Sequence, residues 1–266
     1  MILGSLADAA RERVARAKAR VPLSAVREAA ERADPRPSFA EALKRPGMSF
    51  ICEVKRASPS KGDIWNNQSS AGGFPYLDIA REYAEAGADA LSVLTEPTRF
   101  LGSDAYLRGI ASGVGLPVLR KDFTVDEYQI YEAKALGASA VLLIRALLPG
   151  AALKTYLEAA RSIGLDALVE TRGERELLDA LDAGADIIGV NNRDLRTFEV
   201  DLAVSERLGR RIPRGVTFVA ESGVSGPADA RRLREAGADA LLIGEALMRA
   251  RDKSALLAEM RAACED

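Results

Sequence analysis

A short phrase recurs four times along the chain, as EAGADALSVL at residues 85–94, ALGASAVLLI at 135–144, DAGADIIGVN at 182–191 and EAGADALLIG at 235–244. In each copy a helical segment runs into a glycine, and a short apolar run follows. A glycine just past a helix is the usual left-handed stop. An apolar run of this length is typical of a buried parallel strand. The phrase therefore predicts four junctions between a helix and a strand.

Four further strand signals alternate with these copies. They are GMSFICEVK at 47–55, GLPVLRKDF at 115–123, GLDALVET at 164–171 and GVTFVAES at 215–222. Amphipathic helical segments separate most of the eight signals, including 77–86, 125–136, 151–163, 174–183 and 227–236. Eight βα units in succession predict an α/β fold, a single (β/α)8 TIM barrel. A doubly wound open sheet is the alternative, but it often carries a G-x-G-x-x-G loop, which this sequence lacks.

The domain organisation follows from where the first strand signal begins. The chain has 266 residues, and no linker or low-complexity segment divides it. We assign 47–266 to the barrel and 1–46 to an N-terminal helical cap. Leu6, Ala10, Val14 and Ala17 recur at helical spacing, which predicts an amphipathic helix. Packing of this helix on the barrel is the favoured interpretation, and binding to a membrane surface is the alternative.

Composition excludes several classes of function. Lys and Arg number 37 against 39 Asp and Glu, so no basic field favours nucleic acid or an anionic membrane. The absence of histidine excludes Ser-His-Asp and Cys-His nucleophile systems and His-ligated zinc. Cys52 and Cys264 match no disulfide or metal spacing, and we interpret Cys52 as a core residue. These features predict a cytoplasmic protein without a metal site, and no apolar run is long enough to span a bilayer.

Charged and polar residues stand at the predicted carboxyl ends of the strands, where active sites of such barrels lie. Charged groups are costly in strands buried on both faces unless they have a partner or a function. Alternation along the first strand puts Glu53 and Lys55 on the face opposite Cys52 and Val54. Structural ion pairs are the alternative for each residue alone. Together the strand ends predict a catalytic group of Glu53, Lys55, Lys121, Glu170, Asn191 and Glu221.

The two lysines in this group indicate acid–base chemistry. The chain has only 8 Lys against 29 Arg. Arginine does not release its proton near neutral pH, whereas the pKa of a lysine can be tuned by its surroundings. Lys55 and Lys121 stand among carboxylates, which shift pKa values toward a working range.

The loops after the seventh and eighth strands predict a phosphate site. Glycines at Ser222-Gly223 and Gly244-Glu245 let backbone N–H groups approach an anion near a helix N-terminus. Ordinary turn glycines are the alternative. Glu245 is expected to contribute only its N–H, with its carboxylate turned away from the phosphate.

The motifs from about Phe50 to about Met248 resemble those of the indole-3-glycerol phosphate synthase family. The markers are EVKRASPSKG at 53–62, LTEP at 94–97, LRKDF at 119–123, GVNNRDL at 189–195, AESGV at 220–224 and LIGEALM at 242–248. The first of these is the most specific, since related phosphate-binding barrels share loops like the last two.

The resemblance implies a lyase (a decarboxylase) of tryptophan biosynthesis, an amino-acid biosynthesis pathway. Its substrate would be 1-(2-carboxyphenylamino)-1-deoxyribulose 5-phosphate, a sugar phosphate that carries an anthranilate ring. The substrate would close a ring, lose CO₂ and then water, and give indole-3-glycerol phosphate. No cofactor, metal, nucleic acid or membrane is expected, and the enzyme would be a monomer or a weak homo-oligomer.

The resemblance also implies a role for each site residue. Lys121 would be the general acid in ring closure and Glu170 the general base in dehydration. Lys55 would hold the substrate carboxylate or phosphate and share the acid role, while Glu53 and Asn191, with Glu221 nearby, would organise these groups. Substrate contacts are implied for Ser58 and Arg193 (polar groups), for Pro59, Phe100, Phe123 and Leu195 (the aromatic ring, with core packing as the alternative), and for Ser222, Gly223, Gly244 and Glu245 (the phosphate).

Three features depart from the family pattern. The segment 62–76 is long, polar and rich in Gly and Ser, and predicts either a lid that carries Trp65 onto the substrate or a disordered or engineered insertion. Arg145 is expected near the barrel mouth, where it would bind a carboxylate, pair with a Glu or crowd the aromatic pocket. Arg172 follows Glu170 closely. These departures leave two alternatives open, a redesigned or drifted barrel without the native activity and a sister barrel such as phosphoribosylanthranilate isomerase.

Overall fold

The centre of the molecule is a closed barrel of parallel strands. A computed structural model of the chain describes residues 2–65 and 73–265, and within these ranges eight strands pair in chain order, with the last closing on the first. This confirms the predicted TIM barrel. The strands are β1 Ser49–Val54, β2 Ala90–Leu94, β3 Val118–Lys121, β4 Ala140–Ile144, β5 Asp166–Thr171, β6 Ile187–Asn191, β7 Thr217–Glu221 and β8 Ala240–Ile243.

Helices precede the barrel and surround it. Before β1 lie α1 Ile2–Arg20, α2 Leu23–Glu31 and α3 Phe39–Leu43. The others are α4 Tyr76–Glu85, α5 Asp104–Gly113, α6 Tyr128–Ala135, α7 Gly150–Ser162, α8 Glu174–Asp182, α9 Ala203–Gly209, α10 Pro227–Glu235, α11 Glu245–Arg249 and α12 Lys253–Ala262. A 3₁₀ turn, Arg145–Leu147, follows β4, and a small antiparallel pair, Ala57–Ser58 with Gly62–Asp63, follows β1. No helix in the described ranges has the length and apolarity to cross a membrane.

The glycine at the third position of each recurring phrase has the backbone conformation expected of a helix stop. The φ angles are +89° at Gly87, +91° at Gly137, +84° at Gly184 and +91° at Gly237. A residue with a β-carbon rarely adopts this left-handed conformation. Each glycine therefore lets the chain leave a helix and enter the next strand within a few residues.

The core has two layers because side chains alternate along the strands. Phe50, Cys52 and Val54 face outward and pack in the layer between the strands and the helices. Ile51 faces inward and packs in the barrel interior, together with Leu119 of β3. Cys52 is completely buried and burial raises the pKa of its thiol, which agrees with its interpretation as a core residue.

The N-terminal helix α1 packs on the barrel, as its periodicity predicts. Leu6 and Ala10 join the cluster that fills the barrel interior, and Val14 packs against two tyrosines of α6. Arg13 adds a polar contact, since its Nη2 and Nη1 donate to Oδ1 and Oδ2 of Asp122 at 2.7 and 3.0 Å. Asp122 directly follows β3, so this bidentate pair ties α1 to the end of that strand.

We expect Arg13→Met to destabilise the protein by about 2 kcal/mol, because it leaves the buried Asp122 carboxylate without its bidentate partner. The loss stays below that of a fully orphaned charge, since the Thr95 hydroxyl still donates to Asp122 at 2.6 Å. Urea unfolding measures the difference. Arg16→Met on the same helix is the control, because Arg16 and Glu12 form an exposed pair at 3.7 Å. Equal losses in the two variants would contradict a special role for Arg13.

Candidate active site

One cavity of about 420 Å³ opens at the carboxyl ends of the strands. All the site residues expected from the sequence lie along its wall. They are Glu53, Lys55, Ser58, Pro59, Phe100, Lys121, Phe123, Glu170, Asn191, Arg193, Leu195, Glu221, Ser222, Gly223, Gly244 and Glu245. The residues come from distant parts of the chain, and the closed barrel brings them to one mouth.

Lys121 is the centre of the charged group in this cavity. It ends β3, and its Nζ lies 3.3 Å from Oε2 of Glu170 on β5 and 3.4 Å from Oε2 of Glu221 on β7. Asn191 ends β6, and its Nδ2 donates to Oε1 of Glu170 at 3.1 Å. Both carboxylates are buried. The ammonium group is thus held between two carboxylates, one of which is oriented by an amide.

These contacts shift the pKa values of the group in a consistent way. Burial opposes the charged form of Lys121, but the carboxylates of Glu221, Glu170 and Glu53 outweigh it and raise the pKa of this lysine above its ordinary value. Burial raises the pKa of Glu221 to about 8, an effect that the charge of Lys121 only partly offsets. The carboxylates therefore favour the charged form of Lys121, whereas burial favours the protonated form of Glu221.

Lys55 and Glu53 form a second ion pair beside the first. Nζ of Lys55 lies 2.9 Å from Oε1 of Glu53, and the Ser92 hydroxyl donates to Oε2 of Glu53 at 3.2 Å. Burial opposes ionisation of Glu53, but Lys55 and Lys121 outweigh it and hold the pKa of this carboxyl below its usual range. A β-carbon at Gly244 would lie 2.7 Å from Oε1 of Glu53 and from Nζ of Lys55, so an alanine there would displace the charged ends of this pair.

The loops after β7 and β8 also line the cavity. Ser222 and Gly223 both have positive φ angles, +65° and +90°, and Nδ2 of Asn192 donates to the Ser222 carbonyl at 3.1 Å. A left-handed serine is uncommon, and such strain is concentrated at functional loops. The Glu245 carboxylate lies between two cations, 3.4 Å from Nζ of Lys61 and 3.2 Å from Nε of Arg249.

The apolar wall includes residues that sequence reasoning missed. The rings of Phe100 and Phe123 pack with their centroids 6.1 Å apart. Ile2, Leu3 and Leu6 of α1 also line the cavity, as does Phe198 from the loop after β6. A sequence pattern shows that α1 has an apolar face, but it does not show that this face covers the barrel mouth. Phe198 carries no sequence signal, although its φ of +62° marks an unusual loop.

Of the alternatives for Arg145, the structure shows pairing with a carboxylate, although that of an Asp, and Arg145 does not line the cavity. Its Nη2 lies 2.7 Å from Oδ2 of Asp179 on α8, and its Nη1 donates to the Leu148 carbonyl at 2.6 Å. Arg145 therefore neither crowds the aromatic pocket nor contacts its charges. Arg172 lines a smaller adjoining cavity of about 270 Å³ and pairs with Asp194 at 3.4 Å.

Trp65 does not line the large cavity. Its ring packs edge-on against Phe74, with centroids 6.0 Å apart and an interplanar angle of 72°. The centre of the loop predicted over 62–76 lies at 66–72, outside the described residues. The described ranges also hold no group of three or more metal-ligating side chains arranged around a metal position.

Comparison with known proteins identifies the family. The family model described as Indole-3-glycerol phosphate synthase matches residues 3–260. The chain belongs to the indole-3-glycerol phosphate synthase family. It is 50% identical over 263 residues to the indole-3-glycerol phosphate synthase of Ruminiclostridium cellulolyticum, covering 98% of this chain and 99% of that protein. It is 48% identical over 251 residues to indole-3-glycerol phosphate synthase 2 of Streptomyces coelicolor, covering 94% and 95%.

Likeness of fold extends beyond the indole-3-glycerol phosphate synthase family. The 3-hexulose-6-phosphate synthase structure from Salmonella typhimurium superposes with a TM-score of 0.65 at 13% identity, covering 81% of this chain and 98% of that one. At such low identity the match shows the barrel fold alone.

We expect Gly189→Ala to lower turnover by roughly 10- to 100-fold without unfolding the protein. Gly189 lies on β6, and a β-carbon there would fall 2.0 Å from Oε1 of Glu221. The methyl group would push this carboxylate away from Lys121. Steady-state kinetics and thermal unfolding measure the two effects. Gly150→Ala is the control, because nothing lies within 4 Å of that position. Wild-type turnover in Gly189→Ala would show that the position of Glu221 is unimportant.

Proposed function

We propose that the protein converts 1-(2-carboxyphenylamino)-1-deoxyribulose 5-phosphate into indole-3-glycerol phosphate, CO₂ and water, as a carboxy-lyase of tryptophan biosynthesis. The observation that carries the proposal is the position of Lys121 between Glu170 and Glu221, in the same cavity as Lys55. Full-length similarity to indole-3-glycerol phosphate synthases supports it. The outward direction of Arg145 removes one reason for the alternative of an inactive scaffold.

Ring closure is the step assigned to Lys121. The aromatic carbon that bears the carboxylate attacks the ribulose carbonyl, a C–C bond forms, and negative charge develops on the carbonyl oxygen. The Lys121 ammonium stabilises this charge and transfers its proton to the oxygen. Although the carboxylates raise the pKa of Lys121, an alkoxide is a stronger base than an amine, so the transfer is downhill.

Decarboxylation follows because ring closure leaves the carboxylate on a carbon that has lost its aromaticity. The C–C bond to the carboxylate breaks, CO₂ leaves, and the electron pair returns to the ring. The proposed walls for the ring are Pro59, Phe100, Phe123 and Leu195, which line the cavity. An apolar wall replaces water around the carboxylate and favours its loss as neutral CO₂. We assign the binding of this carboxylate to Lys55.

Dehydration is the step assigned to Glu170. The carboxylate removes a proton from the ring carbon next to the nitrogen, while the former carbonyl oxygen leaves as water with a proton from a lysine. Asn191 orients Glu170 through Oε1, and we assign the role of base to Oε2, the oxygen that faces Lys121. Lys55 and Lys121 are the nearby ammonium groups, with Glu53 and Glu221 as their partners.

The phosphate end supplies binding energy remote from the reacting carbons. We assign the phosphate to Ser222, Gly223, Gly244 and the N–H of Glu245, and polar contacts to Ser58 and Arg193. We further propose a cytoplasmic enzyme, monomeric or weakly self-associating, whose only partner is this small molecule. The nearly balanced charge of −2 supports the proposal that nucleic acid and anionic membranes are not partners.

The direct test is to incubate the protein with the carboxyphenylamino-deoxyribulose phosphate and follow indole fluorescence together with CO₂ release. The proposal requires both signals, in equal amounts. No product above background would favour a scaffold without activity. Isomerisation of phosphoribosylanthranilate without CO₂ release would favour the sister barrel.

We expect Lys121→Met to lower kcat at least about 1,000-fold, because it removes the proton donor and the charge that stabilises the alkoxide. Methionine preserves much of the side-chain volume, and circular dichroism checks that the barrel remains folded. Lys154→Met on the exposed surface of α7 is the matched control. Near-normal turnover in Lys121→Met would refute the acid assignment.

We expect Glu170→Gln to slow dehydration at least about 100-fold while leaving decarboxylation much faster, because the amide cannot accept the ring proton. A single-turnover experiment separates the two steps by recording CO₂ release and indole fluorescence together. Glu158→Gln on the exposed face of α7 is the matched control. Indole formation that keeps pace with CO₂ release at the wild-type rate would contradict the base role.

A further inference from the structure

A buried carboxylate behind the cavity wall has no role in the reaction described above. Glu96 lies two residues after the end of β2 and is 1% exposed. Its Oε1 accepts from the backbone N–H of Thr98 at 2.8 Å and from the Thr98 hydroxyl at 2.5 Å. Its Oε2 accepts from the backbone N–H groups of Arg99 at 2.8 Å and Phe100 at 3.0 Å. Four donors from three consecutive residues thus converge on one side chain.

The donors belong to a tight loop that folds back onto the end of β2. The Gly102 N–H donates back to the Glu96 carbonyl at 2.8 Å, and Leu101 has a φ of +51°. A β-carbon at Gly102 would lie 2.3 Å from the Leu94 carbonyl oxygen, so the loop folds tightly onto the end of β2. The Glu96 carboxylate thus supplies acceptors inside the loop for backbone N–H groups that no neighbouring strand pairs with, and losing it removes the contacts that fix the loop in this shape.

The residue that this loop presents is Phe100. Its ring lines the cavity and packs against Phe123, the other aromatic side chain expected at the substrate ring. Its carbonyl accepts from the N–H of Ala57 at 3.2 Å, next to the cavity residue Ser58. The loop therefore aligns two parts of the wall, and Glu96 itself does not line the cavity.

We infer that Glu96 is a positioning residue that, through its hydrogen bonds to the loop 98–100, holds Phe100 against the aromatic ring of the substrate. The inference rests on the proposed function, because it takes Phe100 as a wall of the anthranilate site. It assigns to a buried carboxylate the control of affinity for the aromatic half of the substrate. The phosphate half is assigned to residues 222–223 and 244–245, which belong to the loops after β7 and β8 and donate no hydrogen bond to Glu96.

The test compares Glu96→Gln, Phe100→Leu and the double variant by kcat and KM. Glutamine has the shape of glutamate, but its Nε2 cannot accept a hydrogen bond, so one pair of donors loses its acceptor. Glu96→Gln is expected to raise KM about tenfold with kcat changed less than about threefold. The double variant is expected to have the KM of Phe100→Leu alone, because residues that act through one contact are not additive.

Two further measurements separate positioning from general loosening of the barrel mouth. The Ki of inorganic phosphate as a competitive inhibitor should be unchanged in Glu96→Gln, since phosphate does not contact Phe100. Thr98→Val removes only the hydroxyl donor and should raise KM about two- to threefold, which keeps the test available if Glu96→Gln does not fold. Asp252→Asn is the matched control, because Asp252 caps α12 through the Ala255 N–H, away from the cavity.

The outcomes are distinct. A KM effect that is lost in the Phe100→Leu background, with phosphate affinity unchanged, supports the inference. Additive effects, an unchanged KM in Glu96→Gln and Thr98→Val, or a parallel loss of phosphate affinity each overturn it. A wild-type protein that forms no indole product overturns the proposed function and this inference together, whereas an active wild type with additive variants overturns the inference alone.

Discussion

The ammonium group of Lys121, largely enclosed among carboxylates, is the main constraint on the architecture of the barrel mouth. Lys121 of β3 lies within 3.4 Å of Glu170 and Glu221, which come from β5 and β7, the strands that flank β6. Removing these charges from water is costly, and only their mutual attraction offsets the cost. The attraction requires that the strand ends meet, so barrel closure and the charged group depend on each other. The same burial raises the pKa of Glu221 to about 8.

Space for the charged groups comes from two glycines, one on a strand and one directly after a strand. Gly189 on β6 leaves room for the Glu221 carboxylate, and Gly244 after β8 leaves room for the Lys55–Glu53 pair. At neither position is the φ angle positive, so backbone freedom is not the reason for the glycine. The reason is the absence of a β-carbon where a charged side chain must pass. A glycine inside a strand weakens the strand, so Gly189 makes room for the Glu221 carboxylate at some expense of strand stability.

The cover of the cavity is supplied by chain segments outside the strands. The apolar side of α1 lies over the mouth, and Arg13 joins this helix to Asp122, the residue next to Lys121. The loop after β2 carries Phe100, and the Glu96 carboxylate accepts hydrogen bonds from the backbone of this loop. The charged residues Lys121, Glu170 and Glu221 thus lie on strands of the barrel. The apolar lining is contributed by a helix and by loops.

The eight βα units and the residues at the strand ends are predictable from the sequence alone, because helix stops, strand length and alternation are local properties of the backbone. The meeting of Lys121, Glu170 and Glu221 at one mouth is predictable in the same way, since parallel strands in a barrel end on the same side. Only the tertiary structure decided that Arg145 turns outward to Asp179, that Ile2, Leu3 and Phe198 cover the cavity, and that Glu96 supports Phe100. Those outcomes depend on where a loop or a helix end meets another element, and hydrophobic periodicity carries no information about such long-range contacts.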